Sequence, residues 1–217
     1  MKSFECNENF ERVSYPGTKK YGIPLVKPGY DVPVTKWVMA DHAMSQKSDV
    51  SQMGLHFYTD DYNFHRYWYE PDKYLPVAQS YKVVIAPDFS VYTDFPFAMN
   101  LYNTYRNAWL ARYWQEHDVN VIPCVMWGDE SSYEYCFDHW PKNTVVSCSS
   151  VGFSKSNEEK RLFLRGYNEM LKRLMPTKII FYGVVPKDVY GPIEHVESFG
   201  REMKRRILSK GKSCAKM

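Results

Sequence analysis

Five times along its length this chain passes from a short apolar strand pattern to a helical one, and that alternation limits what it can fold into. The strand patterns cover residues 55–59, 83–86, 121–126, 144–148 and 178–182. They are nearly continuous apolar runs, as strands covered on both faces are, and the stretches between them are long enough for the crossovers that parallel neighbours need. The expectation is an α/β fold: a mainly parallel sheet of about five strands flanked by helices, either doubly wound or a partial TIM-like barrel. Helical spacing of Tyr102, Tyr105, Trp109 and Tyr113 predicts a helix over Phe97–Glu116, with Asn100, Asn103 and Asn107 marking a polar stripe. Further helices are expected near Asn157–Leu174 and over roughly 194–209. Pro123 inside the third strand pattern argues against a regular central position there.

No linker divides the 217 residues, so one domain is expected, in three stretches. Residues 1–50, punctuated by Pro16-Gly17, Pro24, Pro28-Gly29 and Pro33, form an irregular N-terminal wrap in which only 36–40 reads as a strand. Residues 51–200 are the α/β domain, and 201–217 a basic C-terminal helix and tail. In that tail seven basic residues face one acid, Glu202, although the whole chain carries only +3. Such an end either attracts phosphate backbones or keeps a terminal helix solvated.

No run of residues is long and apolar enough to cross a bilayer, and the first residues lack the apolar core of a signal peptide. The five cysteines include no C-x-x-C pair, so neither a disulfide framework nor a zinc knuckle is supported. A soluble cytoplasmic protein with no membrane partner is expected.

In parallel α/β folds ligands lie at the carboxyl ends of the strands. Polar clusters stand there: Asp60-Asp61, Asp88, Asp129-Glu130, Ser149-Ser150 and Tyr182-Gly183. Asp88, Asp129 and Glu130 are the candidate catalytic residues, because paired carboxylates either divide acid and base work or hold Mg²⁺ or Mn²⁺; Asp88 and Asp129 would be the metal ligands. The competing reading makes Asp88 a turn residue and Asp129 a cap on the helix beginning near Ser131. His56, Asp60, Phe89, Tyr92, Trp127 and Ser149 are the candidate ligand-binding residues, the rings offering faces to a planar group such as a base. The aromatic content of 17% has a plainer use too, packing Tyr-rich helices on the sheet. Neither a Gly-x-Ser-x-Gly elbow, a P-loop nor a Gly-x-Gly-x-x-Gly fingerprint occurs, which disfavours those hydrolase and nucleotide-binding chemistries.

Four stretches carry a family likeness: Ala-Pro-Asp-Phe-Ser-Val-Tyr-Thr-Asp-Phe-Pro (86–96), Tyr-Arg-Asn-Ala-Trp-Leu-Ala-Arg-Tyr-Trp-Gln (105–115), Val-Ile-Pro-Cys-Val-Met-Trp-Gly-Asp (121–129) and Ser-Tyr-Glu-Tyr-Cys-Phe-Asp (132–138). Between about His56 and Gly183 the chain resembles the family catalogued as domain of unknown function 4417, found in bacteria, archaea and viruses, bacteriophages and other mobile elements included. The resemblance transfers no catalytic residues; it also implies a glycine near the turn where His139-Trp140 stands here. Together these readings point to a phage or mobile-element-type protein with a carboxylate-lined site, a metal-dependent hydrolase of nucleic acid or nucleotides. The alternatives are a non-catalytic module that binds a nucleotide or nucleic acid, and a protein that engages a host factor.

Overall fold

The structure, a computed structural model, describes Asn9 and residues 12–151 and 156–214; the side chains of Arg206, Lys210, Lys212 and Lys216 in the expected basic tail lie outside what is described. Seven strands follow one another: β1 (Trp37–Met39), β2 (Gly54–His56), β3 (Val83–Ile85), β4 (Val121–Ile122), β5 (Val145–Ser149), β6 (Lys178–Tyr182) and β7 (Ile193–Val196). All pairings are parallel, within one sheet of four strands, β1-β2-β3-β4, and one of three, β5-β6-β7. A single parallel bridge, Cys124 to Ser147, connects the two sheets. The interruption falls at Pro123, which has no N–H to give; its carbonyl instead accepts from the Ser147 N–H at 2.7 Å.

Spatial order thus follows chain order, without the reversal that a doubly wound sheet requires. The sheet curls instead, bringing β2 against β5 and β6. Tyr58, just past β2, stacks on Tyr182 of β6 with ring centroids 4.7 Å apart, and its hydroxyl meets Ser147 of β5 at 2.6 Å. Among the described residues no ladder joins β1 to β7, so the curl is not closed by hydrogen bonds.

The helices are α1 (His65–Tyr69), α2 (Pro71–Ser80), α3 (Phe97–Glu116), α4 (Tyr133–Cys136), α5 (Asn157–Leu174) and α6 (Phe199–Cys214). The bounds of α3 and α5 agree with the periodicity. Pro96 sits before α3 with extended backbone, and α5 opens on a capping box in which Ser156 and Glu159 satisfy each other's backbone N–H groups. One expectation needs correction: the stretch 194–209 is not one helix. Residues 193–196 form β7, and the helix begins only at Phe199. Gly191, at φ +124°, and Pro192 turn the chain into extended geometry, and β-branched Ile193 and Val196 suit the edge of a sheet.

The described part of the N-terminal stretch contributes β1 and a 3-10 helix over Ala40–Ser45, and ahead of β1 it is tied down by borrowed hydrogen bonds. Gln115 accepts from the Lys27 N–H (2.8 Å) and donates to the Lys27 carbonyl (2.7 Å); Asn120 does the same to Tyr30 (2.8 and 2.9 Å). Each amide replaces a missing ladder partner. Beneath this strap the core is aromatic: Phe57 stacks on Trp114 at 5.4 Å, and Trp68 meets Trp109 edge-on at 5.6 Å. Most rings therefore pack helices on the sheet. The His139-Trp140 turn closes without a glycine, through the Trp140 N–H to the Phe137 carbonyl at 3.1 Å.

Candidate functional site

At the carboxyl ends of β2 to β5 lies a narrow cleft of about 70 Å³, with Tyr58, Asp88, Ser90 and Cys124 at its base and Tyr92, Trp127 and Ser149 around it. Asp88 follows β3 through Pro87 and is partly buried. The Cys124 Sγ stands 3.7 Å from Asp88 Oδ1 and 3.5 Å from the Tyr58 hydroxyl. Ser147 donates to the Ile180 carbonyl at 2.9 Å, so Tyr58 is the donor to Ser147, and the single Cys124 S–H serves either Tyr58 or Asp88.

Electrostatics in the cleft favour protonated groups. Burial pushes the Asp88 carboxyl well above the ordinary carboxylate range, and the nearby Asp61 carboxylate adds to the shift. Burial likewise raises the Tyr58 hydroxyl and the Cys124 thiol far above their usual values, so Cys124 is a packed thiol and not a nucleophile. A carboxyl that keeps its proton in a polar cleft can give that proton to a ligand or share it in a hydrogen bond.

The loop carrying these groups is held from α3. Asn107 takes both backbone groups of Phe89 (2.8 and 3.0 Å), Asn103 bonds the Ser90 carbonyl, and Asn100 takes both backbone groups of Tyr92 (3.0 and 2.7 Å). From the other side Asp61 accepts from the Ser90 hydroxyl at 2.9 Å. The stripe of asparagines is therefore buried and structural for the rim. Its spacing was visible in the sequence, whereas its target was not.

The other candidate residues divide. Tyr92, Trp127 and Ser149 line the cleft with Asp88. Asp129 lies in the adjoining cleft, which shares Tyr92, and there it accepts from the Ser131 N–H at 2.9 Å and from the Ser131 hydroxyl at 2.6 Å. Glu130 is exposed and pairs with Arg165 at 3.0 Å. Asp60 receives the Tyr62 hydroxyl at 3.1 Å on the surface. Phe89 is fully buried under the Arg106 guanidinium, 3.8 Å from its ring, and cannot present a face to a ligand. His56 sits on the inner face of the sheet, in ring contact with Tyr182 at 4.7 Å, and lines a different cavity. Among the described residues no three His, Cys, Asp or Glu side chains group so as to hold a metal ion. Tyr58 and Ser147 were not singled out as site residues, because their meeting depends on the curl that brings β2 against β5.

The family described as domain of unknown function (DUF4417) matches residues 15–199, a span that holds all seven strands and the whole cleft. The chain belongs to the DUF4417 family. Two relatives of the chain are phage proteins. The chain is 34% identical over 174 residues to the Gene 1 protein of Mycobacterium phage D29, covering 79% of this chain and 64% of that protein. It is 32% identical over 176 residues to the Gene 1 protein of Mycobacterium phage L5, covering 79% of this chain and 75% of that protein. The chain thus spans about two thirds of the length of the first of these relatives. No solved structure shows a significant match. Among the described residues no helix is long and apolar enough to cross a membrane.

Proposed function

We propose that this DUF4417 protein is a phage-type enzyme of the host cytoplasm that hydrolyses a nucleotide, with Asp88 as the proton donor. The reading rests on one observation, the position of Asp88 in a narrow cleft at the carboxyl ends of the strands beside Tyr58 and Cys124, where burial raises its carboxyl above the ordinary carboxylate range. The cleft admits only the reacting group of a ligand. The rest would extend outward, where Tyr92, 49% exposed and met edge-on by Phe95 at 4.9 Å, offers a ring face to a base. In this scheme the leaving oxygen takes the proton of Asp88, water adds to the other fragment, and the proton released by that water restores Asp88. Atoms balance without a co-reactant.

Mg²⁺ or Mn²⁺ on Asp88 would require the charged carboxylate, which burial disfavours, and Asp129 already binds Ser131; an ion enters the reading only as an arm of its test. The test is turnover of a panel of nucleoside mono-, di- and triphosphates, followed by chromatography, with and without Mn²⁺. Asp88→Asn is expected to lower turnover by about 10² to 10⁴, the range for removing a general acid, with binding retained. Binding without turnover would leave a nucleotide-binding module, and neither binding nor turnover would leave the host-factor reading.

A further inference from the structure

β1 and β7 are the outer strands of the two bridged sheets, and residues of both line a cavity of about 580 Å³, within the range that small-molecule sites occupy. His56 lines it. Its Nδ1 accepts the Tyr58 N–H at 3.3 Å, which places the ring proton on Nε2. The imidazole is 4% exposed and makes no other hydrogen bond among the described residues, yet Nε2 is not sealed in the core, so the N–H opens into the cavity. Burial keeps the ring uncharged by bringing its pKa down to about 3. A donor that faces a cavity in this way is placed to give its proton to an acceptor on a ligand there.

The walls restrict the ligand. The half-buried Trp37 lines the cavity, and Gly54 makes room for that indole, since a Cβ there would meet Trp37 Cε3 at 2.4 Å; Tyr182, also in the wall, is buried against Tyr58 and His56. The walls carry no excess of positive charge. Glu194 pairs with Lys178, Glu197 pairs with Arg205 at 3.0 Å, and the wall's three glutamates outnumber Lys36 and Arg205, so no field draws in an anion. The Trp37 indole, an uncharged N–H donor and the lack of excess positive charge suit a ring whose C–H face stacks and whose hydroxyl oxygens accept.

We infer that the cavity between β1 and β7 is a second ligand site, which takes an uncharged, hydroxylated ring of saccharide size with His56 as its buried donor. It is independent of the rim cleft, from which the stacked pair Tyr58–Tyr182 separates it. The test is titration of the full chain with D-ribose, D-glucose and N-acetyl-D-glucosamine, by saturation-transfer NMR and calorimetry, with inorganic phosphate as the charged control. At least one sugar is expected to bind saturably and phosphate not to bind. His56→Phe and Trp37→Ala should each weaken sugar binding by about tenfold or more, and Asp88→Asn should leave it unchanged. Nitrogen-15 histidine spectra of the unmodified protein give a readout free of folding defects: the Nε2 resonance of His56 should move on addition of sugar while that of His139 stays. Absence of saturable sugar binding, binding that survives both variants, phosphate binding in place of sugar, or a stationary His56 signal would each overturn the assignment.

Discussion

Asp88 and the two buried histidines pull the pH dependence of stability in opposite directions. An aspartate whose pKa is raised in the fold holds a proton that the unfolded chain loses above about pH 4, so its contribution falls as pH rises from there towards the folded pKa. Asp88→Asn removes that decline, and melting curves at neutral pH should show the variant more stable than the parent. His56 and His139 are both brought down to about 3 by burial. The unfolded chain takes up protons near pH 6.5 that the fold refuses, so stability should fall as pH drops below about 6.5, each histidine contributing a slope of about 1.4 kcal/mol per pH unit. His139→Gln should therefore shave about that much from the slope of urea-derived stability between about pH 6 and pH 4; an unaltered slope would place the proton uptake elsewhere. Asp88, Tyr92, Trp127 and Ser149 could be placed near the rim from the sequence because Ser149 stands at the end of a strand pattern and the others lie in the loops that follow one. The burial of Phe89 could not, since nothing local shows that Arg106, a helix away, lies across its ring.

The elements follow the same division. α3 and α5 were legible in approximate extent because a proline precedes the first and a capping box with amphipathic spacing opens the second. β7 was missed because Ile193 to Val196 is a short edge strand whose two exposed central residues, Glu194 and His195, also fit a helical start. The asparagines of α3 looked like a solvent face, yet Asn103 and Asn107 are 2% and 1% exposed. Asn107→Leu deletes two hydrogen bonds and leaves the backbone groups of Phe89 buried and unpaired, at an expected cost of about 2–4 kcal/mol by urea denaturation. A glycine carries the complementary case. In α5 a Cβ on Gly166 would fall 2.1 Å from the Trp127 ring, so the helix packs directly on the indole that walls the cleft. Gly166→Ala should destabilise by about 1–3 kcal/mol despite the better helix propensity of alanine, and a stability gain would show that the ring moves aside freely.

At the scale of the whole molecule, the seven parallel strands among the described residues leave a seam between β1 and β7 besides the break at Pro123, and α6 begins beside it where the Phe199 N–H donates to the Tyr182 hydroxyl at 3.1 Å. Parallel pairing was legible from the strand–helix alternation; curl and seam were not, because they arise from contacts such as Tyr58 with Tyr182 that link distant segments. The described basic side chains of α6, Arg201, Lys204 and Arg205, are exposed. If this end meets nucleic acid, removing residues from Lys204 onward should weaken DNA binding and flatten its dependence on salt, because fewer counterions are released. Equal affinity and salt slope in the truncated chain would assign the end to solvation. The amide clamps of α3 have a consequence of another kind. They grip only the N–H and C=O groups of residues 89, 90 and 92, which every amino acid but proline supplies in full, so they are indifferent to the side chains that the loop displays. Ser90 also anchors the loop through its hydroxyl to Asp61, but Tyr92 can be exchanged by mutation while the loop keeps its path, giving a lineage room at position 92 to change what the rim recognises without refolding the rim.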